Sequence, residues 1–276
     1  MLVWVHRDRS APFLNALHFC FGLGAFLMPL IVAQTILISG DISGAYWIMA
    51  IIPLPLAIWL WRIPSPSTPK STTDSDGEAT NAWLVAGIST ILFLYVGAEV
   101  SFGGWIYSYA VTLGLENQVS AAYLTSVFWG ALTIGRLLAV PIATRIRPRA
   151  LLLMDLLGCI ACLICMIALW QSNRVLWIGT IALGLSMASF FPTTLAYAAR
   201  HLAVRGSVTR WFFVGSGVGG MLLPWLIGQL IESHSAQVVL VAILADLVLA
   251  LIIFVISNRY PSVEVEMENQ WEQAAD

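Results

Sequence analysis

The sequence predicts an all-α fold, a polytopic membrane bundle of about eight transmembrane helices. Three observations carry that expectation. Of the 276 residues, 59% are hydrophobic and only 10% are charged, against roughly 25% charged in a soluble globular domain. The apolar residues fall in eight long, unbroken runs. The basic residues between those runs gather on one side. A soluble core could not absorb this much apolar side chain, because too little polar residue remains to cover it. The lipid bilayer is therefore the expected surrounding. A net charge of −2 gives no reason to expect a nucleic acid partner.

A hydrocarbon core ~30 Å thick needs about 20 apolar residues of helix to cross it. The runs lie at 11–37, 44–62, 81–113, 119–144, 150–170, 175–199, 211–231 and 236–257. Barrel strands would instead alternate in short segments. The first run carries Asn15 and His18 on one face, then Gly22, Gly24 and Pro29. The second has no charged residue before Arg62. Between it and the third lies a Pro-, Ser- and Thr-rich stretch, 63–80, which reads as a flexible linker.

The third run contains Glu99, flanked by Tyr95 and Phe102 on its helical face, with Trp105 and Tyr109 beyond. A carboxylate near the midplane is expensive and is a functional candidate by default. It could bind a coupling cation, accept a proton, hydrogen-bond a sugar hydroxyl, or be satisfied by a neighbouring helix. Trp105 and Tyr109 could stack on a sugar or simply pack.

The fourth run contains Arg136 and the fifth Asp155. At 1.5 Å rise per residue both sit roughly 8 Å to one side of the midplane. Equal depth on adjacent helices suggests an ion pair, read as a structural or gating latch. Cys159, Cys162 and Cys165 follow Asp155 at spacings of three. An iron–sulfur set would need a fourth ligand, so they read as small packing residues. The sixth run offers Thr193, Thr194 and Tyr197 as cavity candidates. The seventh offers Gly217, Gly219 and Pro224. The last carries Asp246, which should turn inward from lipid.

Glycines permit close helix approach, and prolines permit kinks. Gly22, Gly24 and Pro29 recur as Gly217, Gly219 and Pro224, each 195 residues later, and His6 meets His201 in the same register. Four helices precede the seventh run within its half, but only about ten residues precede the first run. The repeat therefore implies that the chain corresponds to helices five to twelve of a twelve-helix protein.

Of 13 basic residues, all but Arg136 and Arg174 fall at loops on one side. By the positive-inside rule that side is cytoplasmic, and both termini lie on it. The expected organisation is thus a two-helix remnant at 1–62, a cytoplasmic linker at 63–80, a six-helix bundle at 81–258 and an acidic tail at 259–276.

The stretches Asn15-Ala-Leu-His-Phe-Cys-Phe-Gly-Leu-Gly, Tyr95-Val-Gly-Ala-Glu-Val-Ser-Phe-Gly-Gly-Trp105, Gly135-Arg136 and Gly184-Leu-Ser-Met-Ala-Ser-Phe-Phe-Pro-Thr-Thr194 carry a family likeness. The chain resembles the major facilitator superfamily, and within it the fucose-permease-like branch that includes sodium-dependent glucose transporter-like proteins. That resemblance implies two six-helix bundles, a small-molecule solute that is sugar-like, and alternating access. It implies residence in the plasma membrane and no cofactor beyond a coupling proton or sodium ion. It makes Glu99, Trp105, Tyr109, Asn15, His18, Thr194 and Tyr197 the expected contacts for solute or coupling ion. Self-association, or the missing N-terminal helices, would complete the cavity. The superfamily's charged loop motif is only faintly echoed, at Gly135-Arg136 and Arg145-Ile-Arg-Pro-Arg149. The alternative is a non-transporting membrane protein that keeps the fold without the full cavity. Enzyme motifs are lacking: there is no H-E-x-x-H, G-x-S-x-G or P-loop, and His6-Arg7-Asp8 has no kinase context.

Overall fold

The computed structural model describes residues 10–62, 82–202 and 206–257, with side chains from residue 20 in the first helix and from 208 in the ninth. The expected linker and acidic tail lie outside the described residues. Ten α-helices follow one another, with no strand among the described residues: α1 Ser10–Ser39, α2 Ser43–Ile51, α3 Pro53–Trp61, α4 Ala82–Thr112, α5 Gln118–Ala143, α6 Pro148–Ala168, α7 Asn173–Met187, α8 Phe190–His201, α9 Gly206–Ser233 and α10 Val238–Ser257. They make eight segments long and apolar enough to cross a bilayer, because α2 with α3, and α7 with α8, each form one crossing.

Local chemistry sets the ends. Gly40 follows α1 with φ 73° and Gly114 follows α4 with φ 66°. Both take the left-handed conformation that lets a helix stop cheaply. Asn117 caps α5 by accepting from the Ser120 amide at 2.9 Å. Pro148 opens α6 at a position where its missing N–H is not needed. The two interrupted crossings have the same cause. Pro53 and Pro192 lack an N–H and crowd the carbonyl four residues back, so the chain breaks at Ile52 and at Ala188–Ser189.

Helix α4 is the centre of the bundle. It packs against α5, α8, α9 and α10, and sixteen of its residues are buried. Its contact with α9 depends on two glycines one turn apart. A Cβ at Gly215 would meet the Ser89 carbonyl oxygen at 2.6 Å, and one at Gly219 would collide with the carbonyl of Phe93. Helices α5 and α7 approach as closely, since a Cβ at Gly184 would lie 2.7 Å from the Phe128 carbonyl oxygen. Without a solvent-driven hydrophobic force, this close van der Waals packing is what holds membrane helices together.

The glycine pattern of the repeat performs unequally. Gly22 packs on Thr133, yet a Cβ at its equivalent Gly217 would meet nothing among the described residues; Gly219 packs on Phe93, yet a Cβ at its equivalent Gly24 would meet nothing among them. The expected packing role of Gly24 and Gly217 is therefore corrected. Sequence equivalence preserved the small residues, but α1 rests on α5 while α9 rests on α4, so a different helix face is used. Helices α1 and α9 run on through Pro29 and Pro224.

Candidate functional site

The polar centre lies where α7 gives way to α8. Pro192 has no N–H to offer the Ala188 carbonyl, so the helix opens there. Tyr95, wholly buried on α4, uses the opening: its hydroxyl donates to the Met187 carbonyl at 2.6 Å. Its ring stacks on Phe190, the first residue of α8, with centroids 4.3 Å apart and planes 17° apart. The break is thus held by a hydrogen bond on one side and a stacked ring on the other.

One turn further along α4, Glu99 receives the guanidinium of Arg136 at 3.3 Å. The pair is embedded, with side-chain exposures of 9% for Glu99 and 22% for Arg136. The arginine is the more exposed half. Arg136 comes from α5, whose neighbouring Gly135 lies so close to α7 that a Cβ there would meet Ala188 at 2.6 Å. Close approach at Gly135 therefore brings Arg136 level with the helix break.

Asp155 completes the centre from α6. It is 7% exposed and accepts a 2.6 Å hydrogen bond from the Ser189 hydroxyl in the interrupted turn. Cys159, one turn along α6, is within electrostatic reach of both Asp155 and Glu99. Three helices, α4, α5 and α6, and the break thus contribute Tyr95, Glu99, Arg136, Asp155 and Ser189 to one polar layer.

The expected Arg136–Asp155 latch is not formed. Counting rise along each helix gives depth but not rotation. The rotation of α5 turns Arg136 toward α4 and Glu99, and leaves Asp155 to Ser189. The other candidates lie apart from this layer. Trp105 donates its indole N–H to the Pro224 carbonyl at 2.9 Å, so it ties α4 to α9. Tyr109 is buried at 1% exposure in the core. Thr194 donates back to the Phe190 carbonyl at 2.8 Å. Tyr197 faces inward between His201 and Phe254, and its hydroxyl has no partner among the described residues. Its expected place on a cavity wall is corrected, because α8 turns that face toward α10. The side chains of Asn15 and His18 lie outside those described. Sequence reasoning missed Ser189 and the donor role of Tyr95. Pro192, three residues after Ser189, was the available signal.

The Major Facilitator Superfamily profile matches residues 3–224. The chain belongs to the major facilitator superfamily. That family is one of transporters rather than enzymes, and the eight crossings fit a multi-pass member. Among curated relatives, the chain is 29% identical to sodium-dependent glucose transporter 1 of Xenopus laevis, over 81% of this chain and 52% of that protein. It is 28% identical to mouse sodium-dependent glucose transporter 1A, over 95% and 71% respectively. It is 26% identical to mouse major facilitator superfamily domain-containing protein 4A, over 97% and 71%. The chain spans about half the length of the first of these relatives.

Proposed function

We propose that this chain is the larger part of a secondary active transporter, moving a small polar, sugar-like solute by alternating access. The observation that carries this reading is the Glu99–Arg136 pair beside the interrupted α7–α8 crossing. An ion pair inside a bilayer is costly and is retained where it serves a pathway. A guanidinium and a carboxylate together offer a sugar both donors and acceptors in charge-assisted hydrogen bonds. Broken helices beside such groups are the usual architecture of transport sites near the midplane. Two relatives carry glucose transporter in their names, which supports a sugar-like solute. The arginines at the α5–α6 turn and at the end of α8 support a cytoplasmic position for that end and for both termini; residence in the plasma membrane is proposed from the family likeness alone.

Uptake of radiolabelled glucose and fucose into cells tests this reading, comparing the 276-residue chain with an upstream-extended form. Sugar uptake above background by either form, abolished by Glu99→Gln at equal surface expression, is the expected result. Undiminished uptake by Glu99→Gln would overturn the role of the pair. A second reading, a membrane protein that keeps the fold without transporting, is favoured by the span of half a relative's length. It predicts no uptake by the short form alone.

A further inference from the structure

We infer that Asp155 carries an exchangeable proton in the transport cycle, and that Ser189 transmits its occupancy to the α7–α8 break. This rests on the transporter reading and adds the coupling ion and its ligand.

The argument begins with charge. The polar layer holds two carboxylates and one cation. Glu99 and Arg136 neutralise each other at 3.3 Å. Asp155 is left with one neutral hydroxyl as its hydrogen-bond partner, at 7% exposure. A buried carboxylate with a single neutral donor is poorly compensated, and taking up a proton removes that deficit. The groups on every helix packed against α6 leave this unchanged. On α7 the ionisable group is Arg174, at the far end. Helix α8 has Tyr197, Arg200 and His201, and α10 has Asp246. Across the layer stand Tyr95, Glu99 and Arg136; on α6 itself are Arg149, in its first turn, and the cysteines.

The second strand of the argument is position. Ser189 stands in the turn that Pro192 deprives of a hydrogen bond. While Asp155 is charged, the Ser189 hydroxyl donates to it, holding α6 to the start of α8. When a proton from water on one side binds Asp155, the carboxyl becomes a donor and the serine oxygen accepts. The serine hydrogen is then free for a carbonyl of the interrupted turn. Loss of the same proton to the other side restores the first arrangement. One proton thus reverses the Asp155–Ser189 hydrogen bond and frees the serine hydrogen for the half-helix, without any change in the Glu99–Arg136 pair.

The test is an infrared titration of the reconstituted full-length protein from about pH 5 to 9. The protonated carboxyl band of Asp155 is expected to appear as pH falls, to vanish in Asp155→Asn and to remain in Glu99→Gln. Asp246→Asn identifies the separate band of the α10 carboxyl. Ser189→Ala, the milder change, is expected to shift the titration of the Asp155 band without removing it. In the same vesicles, a pH gradient should drive sugar accumulation, reduced about tenfold or more by Asp155→Asn. A spectrum unchanged by Asp155→Asn overturns the inference, as does displacement of the band by sodium at constant pH. A normal Asp155 band in vesicles that take up no sugar under any gradient would leave the proton site standing and overturn the transport reading instead.

Discussion

The indole N–H of Trp105 donates to the carbonyl of Pro224 at 2.9 Å, across the contact between α4 and α9. The same ring lies against Gly228, where a Cβ would approach it to 2.9 Å. Replacing Trp105 with Phe keeps most of the ring and removes the donor. The expected loss is about 1 kcal/mol, the usual worth of a hydrogen bond between membrane helices. Thermal unfolding in detergent measures it; an unchanged midpoint would mean that packing alone ties the two helices.

Glu99 and Arg136 should be far more damaging to lose singly than together. Glu99→Gln or Arg136→Gln leaves a buried charge alone, at a cost of about 3–5 kcal/mol. The double variant removes both charges and should recover most of that loss. A double-mutant cycle on unfolding midpoints decides it, and additive losses would contradict the pairing.

The repeat offers an internal control. Gly219→Ala forces a methyl into the Phe93 carbonyl and should destabilise by about 1–3 kcal/mol. Gly217→Ala, two residues away and facing open space, should be neutral or stabilising by up to ~1 kcal/mol. Detergent stability assays on both variants check this contrast; equal losses would refute the α4–α9 crossing.

Asp41 sits outside the crossings, in the turn between α1 and α2. Hydrogen bonds from the Ser43 side chain and the Ile42 amide hold its carboxyl below the ordinary carboxylate range. A depressed value in the folded state means that the carboxylate supports the turn above the ordinary range. That support is lost as pH falls through the folded value. Hydrogen exchange at Ile42, corrected for intrinsic rate, should accelerate in acid. Asp41→Asn should abolish that pH dependence.

The crossings were legible because each apolar run is long: 44–62 became Ser43–Trp61 and 119–144 became Gln118–Ala143. The interruptions were not. An apolar window averages over a single proline, so 175–199 reads as one helix although Pro192 divides it. Glu99, Arg136 and Asp155 stood out as charges in apolar surroundings, yet their pairing did not. Which carboxylate meets the arginine depends on the rotation of α5. That rotation is set by the close approach at Gly135 and Gly184, a contact between helices that spacing along one helix does not report.

The break between α7 and α8 also has an electrical meaning. A helix of 15 residues and one of 12 share a single crossing, so each has one end part-way along it. Each brings a terminal charge of roughly half an elementary unit, of opposite sign. A full charge crossing the whole membrane at 100 mV is worth about 2.3 kcal/mol. Half a charge displaced through about a tenth of that field is worth only ~0.1 kcal/mol. A displacement of the half-helices is therefore nearly blind to membrane potential, and under the proposed transport reading a steep voltage dependence would report a carried ion instead.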